Sequence, residues 1–289
     1  MPLALSPQVS PVGGMPLPQN RANDAMCLID TEELTKAFDG QIAVDHVNLR
    51  VWAQEIFGLI GPNGAGKSTL IKMLTTLLPP TEGEARVAGC DIRREAPQVR
   101  ARIGYVPQLL SADGALTGYE NLMLSARLYR IPVREQRQRI QEALELTQLT
   151  SVAHRAAQHY SGGMLRRLEI AQNTLHRPAL LIMDEPTVGL DPVGRDTIWE
   201  HVRELRARHG MTILLTTHAM DEADALCDRV GILHSGRLEK VGAPSALKAE
   251  LGPDATLDDV FVSVAGHDID QPGNYRDVRL TRRSARGHG

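Results

Sequence analysis

A glycine-rich stretch at residues 61–68 places a lysine and a serine where they can hold a chain of phosphates. This phosphate loop consists of Gly61, Pro62, Asn63, Gly64, Ala65, Gly66, Lys67 and Ser68. Glycines let the backbone turn tightly, so that successive N–H groups cradle an anion. In this spacing the lysine meets the β- and γ-phosphates of a nucleotide and the serine hydroxyl ligates Mg²⁺. The alternative is a glycine-rich turn with an unrelated lysine, but an apolar run before the loop and a helical pattern from Thr69 onward favour nucleotide binding.

Two acids, Asp184 and Glu185, end a second apolar run that begins at Leu180. A continuous apolar run is typical of a strand that is buried on both faces of a parallel sheet. Ligands of open α/β sheets bind at the carboxyl ends of the strands. We therefore expect Asp184 to contact Mg²⁺ and Glu185 to polarise an attacking water. The alternative is a strand that simply ends in solvated acids. The presence of a phosphate loop in the same chain favours the magnesium site over this alternative.

Residues 160–164, with the sequence Tyr-Ser-Gly-Gly-Met, predict a second helix start that can bind an anion. Ser161 is a good helix N-cap, and Gly162 and Gly163 leave the first N–H groups unobstructed. This signature segment resembles the Leu-Ser-Gly-Gly-Gln motif of the ATP-binding cassette (ABC) family. Tyrosine in place of leucine is expected to matter little, whereas Met164 lacks the amide that glutamine would offer.

The signature variant is similar to one exporter branch of that family, typified by the anthracycline-resistance ATPases, which also carries a basic pair after the motif. In this chain the pair is Arg166 and Arg167. The resemblance covers about residues 27–265, and it implies ATP and Mg²⁺ as cofactors. It also implies that Lys67 and Glu185 take part directly in ATP hydrolysis.

The same resemblance implies roles for four further residues. Gln108 would touch Mg²⁺ and the attacking water, and His218 would hold the γ-phosphate. Asp191 would lie in the loop that crosses the interface between two copies of the chain. Phe38 would stack on the adenine ring, the alternative being a phenylalanine of the core.

Both the pattern of the chain and the resemblance predict an α/β fold. The expected architecture is a P-loop NTPase (RecA-like) parallel-sheet core with an antiparallel β subdomain and a helical insert subdomain at about residues 112–165. The nucleotide-binding domain is expected to span residues 27–265. Residues 1–26 are rich in proline and residues 266–289 are polar, so that both ends are expected to be disordered tails.

Composition excludes several classes of protein. The net charge of −3 gives no footprint for nucleic acid. Three scattered cysteines lack the spacing of a metal site. We find no apolar run near the roughly 18 residues of a membrane span, and no basic-then-apolar start typical of a secretion signal.

The resemblance implies the ATP-hydrolysing subunit of an ABC transporter, a multidrug or lipid exporter, on the cytoplasmic face of the cell membrane. Its implied partners are a second copy of itself and a separate transmembrane permease. ATP would join the two copies head to tail, each Ser161 facing the nucleotide on the other copy's phosphate loop. One alternative is a soluble non-transport ABC ATPase, such as a scaffold or assembly factor. A P-loop kinase or GTPase is disfavoured by the signature segment, Gln108 and His218.

Overall fold

A computed structural model describes residues 26–265, which form two β-sheets and a helical unit. The strands are β1 (Cys27–Phe38), β2 (Gln41–Val47), β3 (Arg50–Trp52), β4 (Ile56–Ile60), β5 (Glu82–Val87), β6 (Cys90–Asp91), β7 (Ile103–Val106), β8 (Leu180–Asp184), β9 (Thr212–Thr217), β10 (Arg229–His234) and β11 (Arg237–Gly242). The α-helices are α1 (Lys67–Leu74), α2 (Ala96–Arg102), α3 (Gly118–Leu128), α4 (Val133–Leu146), α5 (Gly162–Thr174), α6 (Pro192–His209), α7 (Met220–Leu226), α8 (Pro244–Ala249) and α9 (Leu257–Ala265). Apart from Met26, the predicted terminal tails lie outside the described residues.

The larger sheet has the strand order β11-β10-β4-β9-β8-β7 and is parallel except for β11 at its edge. Every residue of β4, β8 and β9 is buried, as expected for strands covered on both faces. Pairing sets the carboxyl ends of these strands level, with Ile60 opposite Thr217 and Asp184 opposite Thr216. The segments that follow the three strands therefore leave the sheet at one edge.

The smaller sheet is antiparallel, with the order β2-β1-β5-β6 and with β3 also paired to β1. Strands β1 and β2 form a hairpin whose two turn residues, Asp39 and Gly40, both have positive φ, at 46° and 84°. Two positive φ values are characteristic of a type I′ turn, which matches the twist of the paired strands. This turn places Phe38 at the tip of the hairpin.

Helices α3, α4 and α5 enclose a small hydrophobic core of their own. Two of its side chains, Leu168 and Ala171, come from the second half of α5, and a third, Leu175, follows just after the helix end. Two further residues interlock at the edge of this unit. The Tyr160 hydroxyl donates to the Val152 carbonyl at 2.7 Å, and a Cβ added to Gly118 would lie 2.4 Å from that hydroxyl oxygen.

The predicted α/β class, with a parallel core, an antiparallel sheet and a helical unit, is confirmed. Side chains on the two faces of the parallel sheet belong to separate hydrophobic cores, one of which also fills the space under the antiparallel sheet. Across residues 26–265, each helix is too short or too polar to cross a membrane.

Candidate functional site

The phosphate loop follows β4 directly and leads into α1. Its path is tight enough to require glycine at two positions. A Cβ added to Gly61 would lie 2.2 Å from the carbonyl oxygen of Leu233, and one added to Gly66 would lie 2.4 Å from the carbonyl oxygen of Ala43. Gly66 also has φ of 103°, in the region that glycine adopts at little cost. The loop is thereby wrapped around the positive end of the α1 dipole, an arrangement that favours phosphate.

Lys67 is the first residue of α1, and its ammonium group lies inside the loop. The Nζ atom donates to the carbonyl oxygens of Gly61 at 2.8 Å and Pro62 at 3.1 Å. It also lies 3.4 Å from Oε1 of Glu185, and both side chains are at most 8% exposed. A positive charge is thus held in place against the backbone of the loop, where it can neutralise a phosphate.

Asp184 ends β8 and accepts two hydroxyl hydrogen bonds on its Oδ1 atom. The donors are Ser68 at 3.3 Å and Thr216 at 2.6 Å. A carboxylate and a hydroxyl are the oxygen ligands that Mg²⁺ takes from a protein that binds it together with phosphates. Among residues 26–265 no cluster of three or more His, Cys, Asp and Glu side chains could hold a metal. The Asp184 carboxylate and the Ser68 hydroxyl fit Mg²⁺ that takes its other ligands from water or from the phosphates of a nucleotide.

Glu185 adopts a backbone conformation that is unusual for a residue with a side chain, with φ of 47°. The N–H group of Glu185 donates to the carbonyl oxygen of Thr216 at 3.2 Å and to its hydroxyl oxygen at 2.9 Å. Such strain persists only where the surroundings enforce it. The carboxylate of Glu185 contacts a different set of side chains from that of Asp184.

Those side chains are the catalytic candidates that the sequence predicted. Gln108 donates from Nε2 to Oε2 of Glu185 at 3.1 Å. The Nδ1 atom of His218 lies 3.4 Å from Oε1 of Glu185, on an imidazole that is 43% exposed. The Nζ atom of Lys67 lies 3.4 Å from the same Oε1 atom, so that four segments of the chain meet at the Glu185 carboxylate.

Tyr105, on β7, lies near Asp184. Burial, with the nearby charge of Asp184 adding to it, raises the pKa of Tyr105 to about 12. Its hydroxyl therefore stays protonated at neutral pH and cannot act as a base.

The signature segment is the start of α5. Ser161 is the N-cap, and its hydroxyl accepts from the N–H group of Met164 at 3.3 Å. Ser161 and Gly162 are exposed. A Cβ added to Gly163 would meet nothing closer than the Cα atom of Gly194, at 3.9 Å. The start of α5 thus lies beside the start of α6 and presents polar groups at the surface.

Asp191 is the N-cap of α6, and its Oδ1 atom accepts from the N–H group of Gly194 at 2.6 Å. This local hydrogen bond accounts for an aspartate at the position without a nucleotide. Asp191 lies next to the signature segment, since an added Cβ on Gly162 would lie 3.7 Å from Leu190. Its predicted place in an interface between two copies stays a prediction.

Phe38 is 45% exposed at the tip of the first hairpin, which excludes the alternative of a core phenylalanine. The ammonium group of Lys36 lies 5.0 Å from the centre of its ring. An exposed aromatic face beside a cation suits the stacking of a nucleotide base. Within residues 26–265, no hydrogen bond joins Phe38 or Ser161 to the cluster around Glu185.

Sequence reasoning missed Thr216, which bridges the two acids. The sequence predicted a strand at this position, two residues before His218, but it did not indicate which side chains Thr216 contacts. Its partner was not visible, since the pairing of Asp184 with Thr216 depends on the register of β8 against β9. The ionic pair Arg166 and Glu169 on α5 was missed for a similar reason: its partners lie on a loop more than fifty residues away.

Comparison with known proteins identifies the family. A family model described as "ABC transporter" matches residues 44–188, about half of the chain. The "Daunorubicin/doxorubicin resistance ATP-binding protein DrrA" of Streptomyces peucetius is 45% identical over 224 residues, which is 78% of this chain and 68% of that protein. The "Probable multidrug ABC transporter ATP-binding protein YbhF" of Escherichia coli is 40% identical over 248 residues, 84% of this chain.

The chain spans 42% of the length of that Escherichia coli relative. Among solved structures, one described as a dimeric post-hydrolysis state of the ATP-binding cassette MJ0796 bound to ADP and Pi superposes with a TM-score of 0.68 at 28% identity. The match covers 74% of this chain and 98% of that one. The resemblance stated from the sequence motifs is confirmed at the level of the family, and the fold is that of an ATP-binding cassette.

Proposed function

Because this chain belongs to the ABC transporter family, we propose that it is the ATP-binding and ATP-hydrolysing subunit of a multidrug or lipid exporter. The observation that carries the proposal is the meeting of Lys67, Gln108 and His218 on the carboxylate of Glu185. A base held between a phosphate-binding lysine and two polar side chains is an arrangement for activating water next to a phosphate.

The phosphate loop binds the β- and γ-phosphates, with its N–H groups and Lys67 balancing their negative charge. Phe38 stacks on the base at the tip of the first hairpin. Ser68, Asp184 and Gln108 would hold Mg²⁺. When bound, that ion supplies additional positive charge to the phosphates.

Hydrolysis begins when Glu185 accepts a proton from a water molecule placed in line with the γ-phosphorus. The water oxygen forms a bond to phosphorus while the bond to the bridging oxygen of ADP breaks. Gln108 and His218 orient the carboxylate and the water, and Lys67 stabilises the charge that builds up on the phosphate oxygens. The side chains do little covalent chemistry, since positioning and charge provide most of the acceleration.

Two copies of the chain join head to tail around the nucleotide. Ser161, Gly162 and Gly163 of each copy bind the γ-phosphate on the phosphate loop of the other through charge-assisted hydrogen bonds. The exposed start of α5 supports this, as does the dimeric state named for the solved relative. Loss of the γ-phosphate removes the shared contact, and the two copies separate.

This opening and closing drives a separate membrane permease, against which the chain lies on the cytoplasmic face of the membrane. The names of the relatives, which are ATP-binding proteins of drug resistance and multidrug transport, support export over a role as an assembly factor.

The test is the release of inorganic phosphate from Mg-ATP by the full chain and by Glu185→Gln, with the mass of each species measured by light scattering. The variant should bind ATP normally, because the phosphate loop is intact. Its turnover should fall about 10²- to 10⁴-fold, the usual contribution of a general base, and ATP should trap it as a dimer. Glu200→Gln, which removes an exposed carboxylate on α6, is the control and should behave as the wild type. An ATP-loaded Glu185→Gln monomer that still hydrolyses would contradict the proposal.

A further inference from the structure

Arg166 and Glu169 form an ion pair that is almost completely buried. They lie one turn apart on α5, with NH1 of the arginine 3.0 Å from Oε2 of the glutamate and side chains that are 4% and 0% exposed. Removing two charges from water costs several kcal/mol per ion in general, and their attraction repays this only if their other hydrogen-bonding groups are satisfied. The other hydrogen-bond partners of so deeply buried a pair therefore show which part of the protein it holds in place.

The other side-chain hydrogen bonds of both ions go to the stretch that follows β7. Residues 107–111 of this stretch contain Gln108 and are called the glutamine segment here. Arg166 donates to the carbonyl oxygen of Pro107 at 2.6 Å and to that of Gln108 at 2.7 Å. Glu169 accepts from the N–H group of Ser111 and from its hydroxyl at 3.0 Å. The arginine thus holds the beginning of the segment and the glutamate holds its end.

Burial is the main influence on both ions. It lowers the pKa of Arg166, which the charge of Glu169 counteracts, and it raises the pKa of Glu169. The bonds to the glutamine segment are charge-assisted, and such bonds are shorter and stronger than neutral ones. Residues 108–111 are exposed to solvent, so the buried ions are their main attachment to the body of the protein.

Through Gln108, the glutamine segment connects the buried ion pair to the catalytic base, Glu185. The backbone of Gln108 is bound by Arg166, and its side chain donates to Glu185 at 3.1 Å. We propose that Arg166 and Glu169 are positioning residues that lock the glutamine segment to α5. Any movement of the start of α5, where the signature segment lies, is then passed to Gln108 and so to Glu185. This inference rests on the proposed function, since Glu185 must be the base for the coupling to affect turnover.

The neighbouring Arg167 has no part in this coupling. Its NH1 atom donates to the carbonyl oxygen of Thr147, at the end of α4 and within the helical unit. Burial lowers its pKa as well. The chain therefore contains two adjacent, partly or fully buried arginines on one helix, of which only Arg166 contacts the glutamine segment. Arg167 is a matched control for the loss of a buried positive charge.

The experiment compares Arg166→Met, Glu169→Leu, the double variant Arg166→Met/Glu169→Leu and the control Arg167→Met in the full chain. Turnover and the Michaelis constant for ATP are measured together with the melting temperature. Arg166→Met should lower turnover about 100-fold, the scale of loss for a misplaced catalytic group, with little change in the Michaelis constant. Arg167→Met should change turnover less than threefold.

The double variant separates positioning from stability. Replacing both members of a buried pair by apolar side chains commonly restores stability, so the melting temperature should recover relative to the single variants. Turnover should stay low, because nothing then holds the glutamine segment. Recovery of turnover together with melting temperature would overturn the inference, and so would equal effects of Arg166→Met and Arg167→Met.

Hydrogen exchange supplies a readout that needs no catalysis. The Ser111 amide, bound by Glu169, should exchange faster in Arg166→Met and Glu169→Leu than in the wild type or Arg167→Met. If Arg166→Met unfolds, Arg166→Lys keeps the charge but cannot form the fork of hydrogen bonds, and it should show the same faster exchange. Unchanged exchange at residues 107–111 would overturn the inference. A wild-type chain without ATP turnover would instead count against the proposed function and leave the exchange result to decide the coupling.

Discussion

The phosphate loop and the signature segment are both suited to binding anions. Within one chain, however, only the phosphate loop is surrounded by side chains from other elements. Lys67 and Glu185 are buried, and each has partners among residues brought in by other strands. Ser161 is exposed, and within residues 26–265 its hydroxyl has a hydrogen bond only with its own helix, at Met164.

The glycines of the two regions differ in the same way. Gly61 and Gly66 are required by the chain itself, because an added Cβ would collide with a carbonyl oxygen at 2.2 Å and 2.4 Å. Gly163 is not, because its nearest neighbour would lie at 3.9 Å. At position 163 the free space leaves room for a group from outside the chain, such as a phosphate, to approach the backbone. The phosphate loop is therefore complete within one chain, whereas in the proposed dimer the signature segment is one half of a site shared by two copies.

The largest expected effect comes from Lys67→Ala, which breaks the complete site. Without the ammonium group the phosphates lose their partner, so ATP binding should weaken strongly and hydrolysis should be abolished. Nucleotide titration and phosphate release measure the two effects. Lys72→Ala, an exposed lysine on the same helix, should be silent. Normal turnover in Lys67→Ala would show that the loop does not bind phosphate.

Gly163→Asp should break the shared site alone. The aspartate fits its own chain but places a like charge against the γ-phosphate on the other copy. Dimer formation with ATP and turnover should both be lost, while the monomer should still bind ATP with unchanged affinity. Gly163→Ala, which adds a Cβ without charge, separates bulk from repulsion and should keep the monomer's affinity and melting temperature. A Gly163→Asp chain that dimerises and hydrolyses normally would reduce the signature segment to a surface turn.

Phe38→Ala should have an intermediate effect, limited to the affinity for ATP. Stacking of a base on an aromatic ring is worth about 1–3 kcal/mol, which raises the Michaelis constant for ATP about five- to 150-fold. The turnover number should stay close to that of the wild type, because Phe38 has no hydrogen bond to the cluster around Glu185. Phe38→Tyr keeps the ring and should restore affinity. If Phe38→Ala binds ATP as tightly as the wild type, the exposed ring has another role.

Met164→Gln should have the smallest effect. The backbone N–H group of Met164 already donates to the Ser161 hydroxyl, and the substitution leaves this cap in place. A thioether offers no donor and only a weak acceptor, so the native segment does not depend on a side-chain amide here. Turnover should change within a fewfold. A gain or loss beyond about tenfold would mean that position 164 controls the shared site directly.

The positions of the catalytic candidates could be predicted because each one follows a strand of the parallel sheet. Apolar runs predicted β4, β8 and β9, the phosphate-loop motif gave Lys67, and the rule that ligands bind at the carboxyl ends of strands gave Asp184. The roles of Gln108 and His218 came from the resemblance to the family. The family was also predictable, since its motifs are short and local.

The connections between these residues could not be predicted. Thr216 bridges Asp184 and Glu185 through a register that apolar runs do not specify. Arg166 and Glu169 form a helical pair that ordinarily lies at the surface, and only the packing of α5 against the glutamine segment buries it. Long-range side-chain contacts depend on how elements pack, which a single sequence does not record.

Gly118 and Tyr160 determine the order in which substitutions can accumulate at the edge of the helical unit. The phenol is held by Val152 and lies 2.4 Å from the site of a Cβ on Gly118. A chain that first exchanges Gly118 for alanine passes through a crowded, destabilised intermediate. A chain that first shortens Tyr160 to leucine loses the hydrogen bond to Val152 but gains room, and the exchange at position 118 then costs little. The two routes to the same double variant are unequal, so descendants of this chain are expected to change the tyrosine before the glycine.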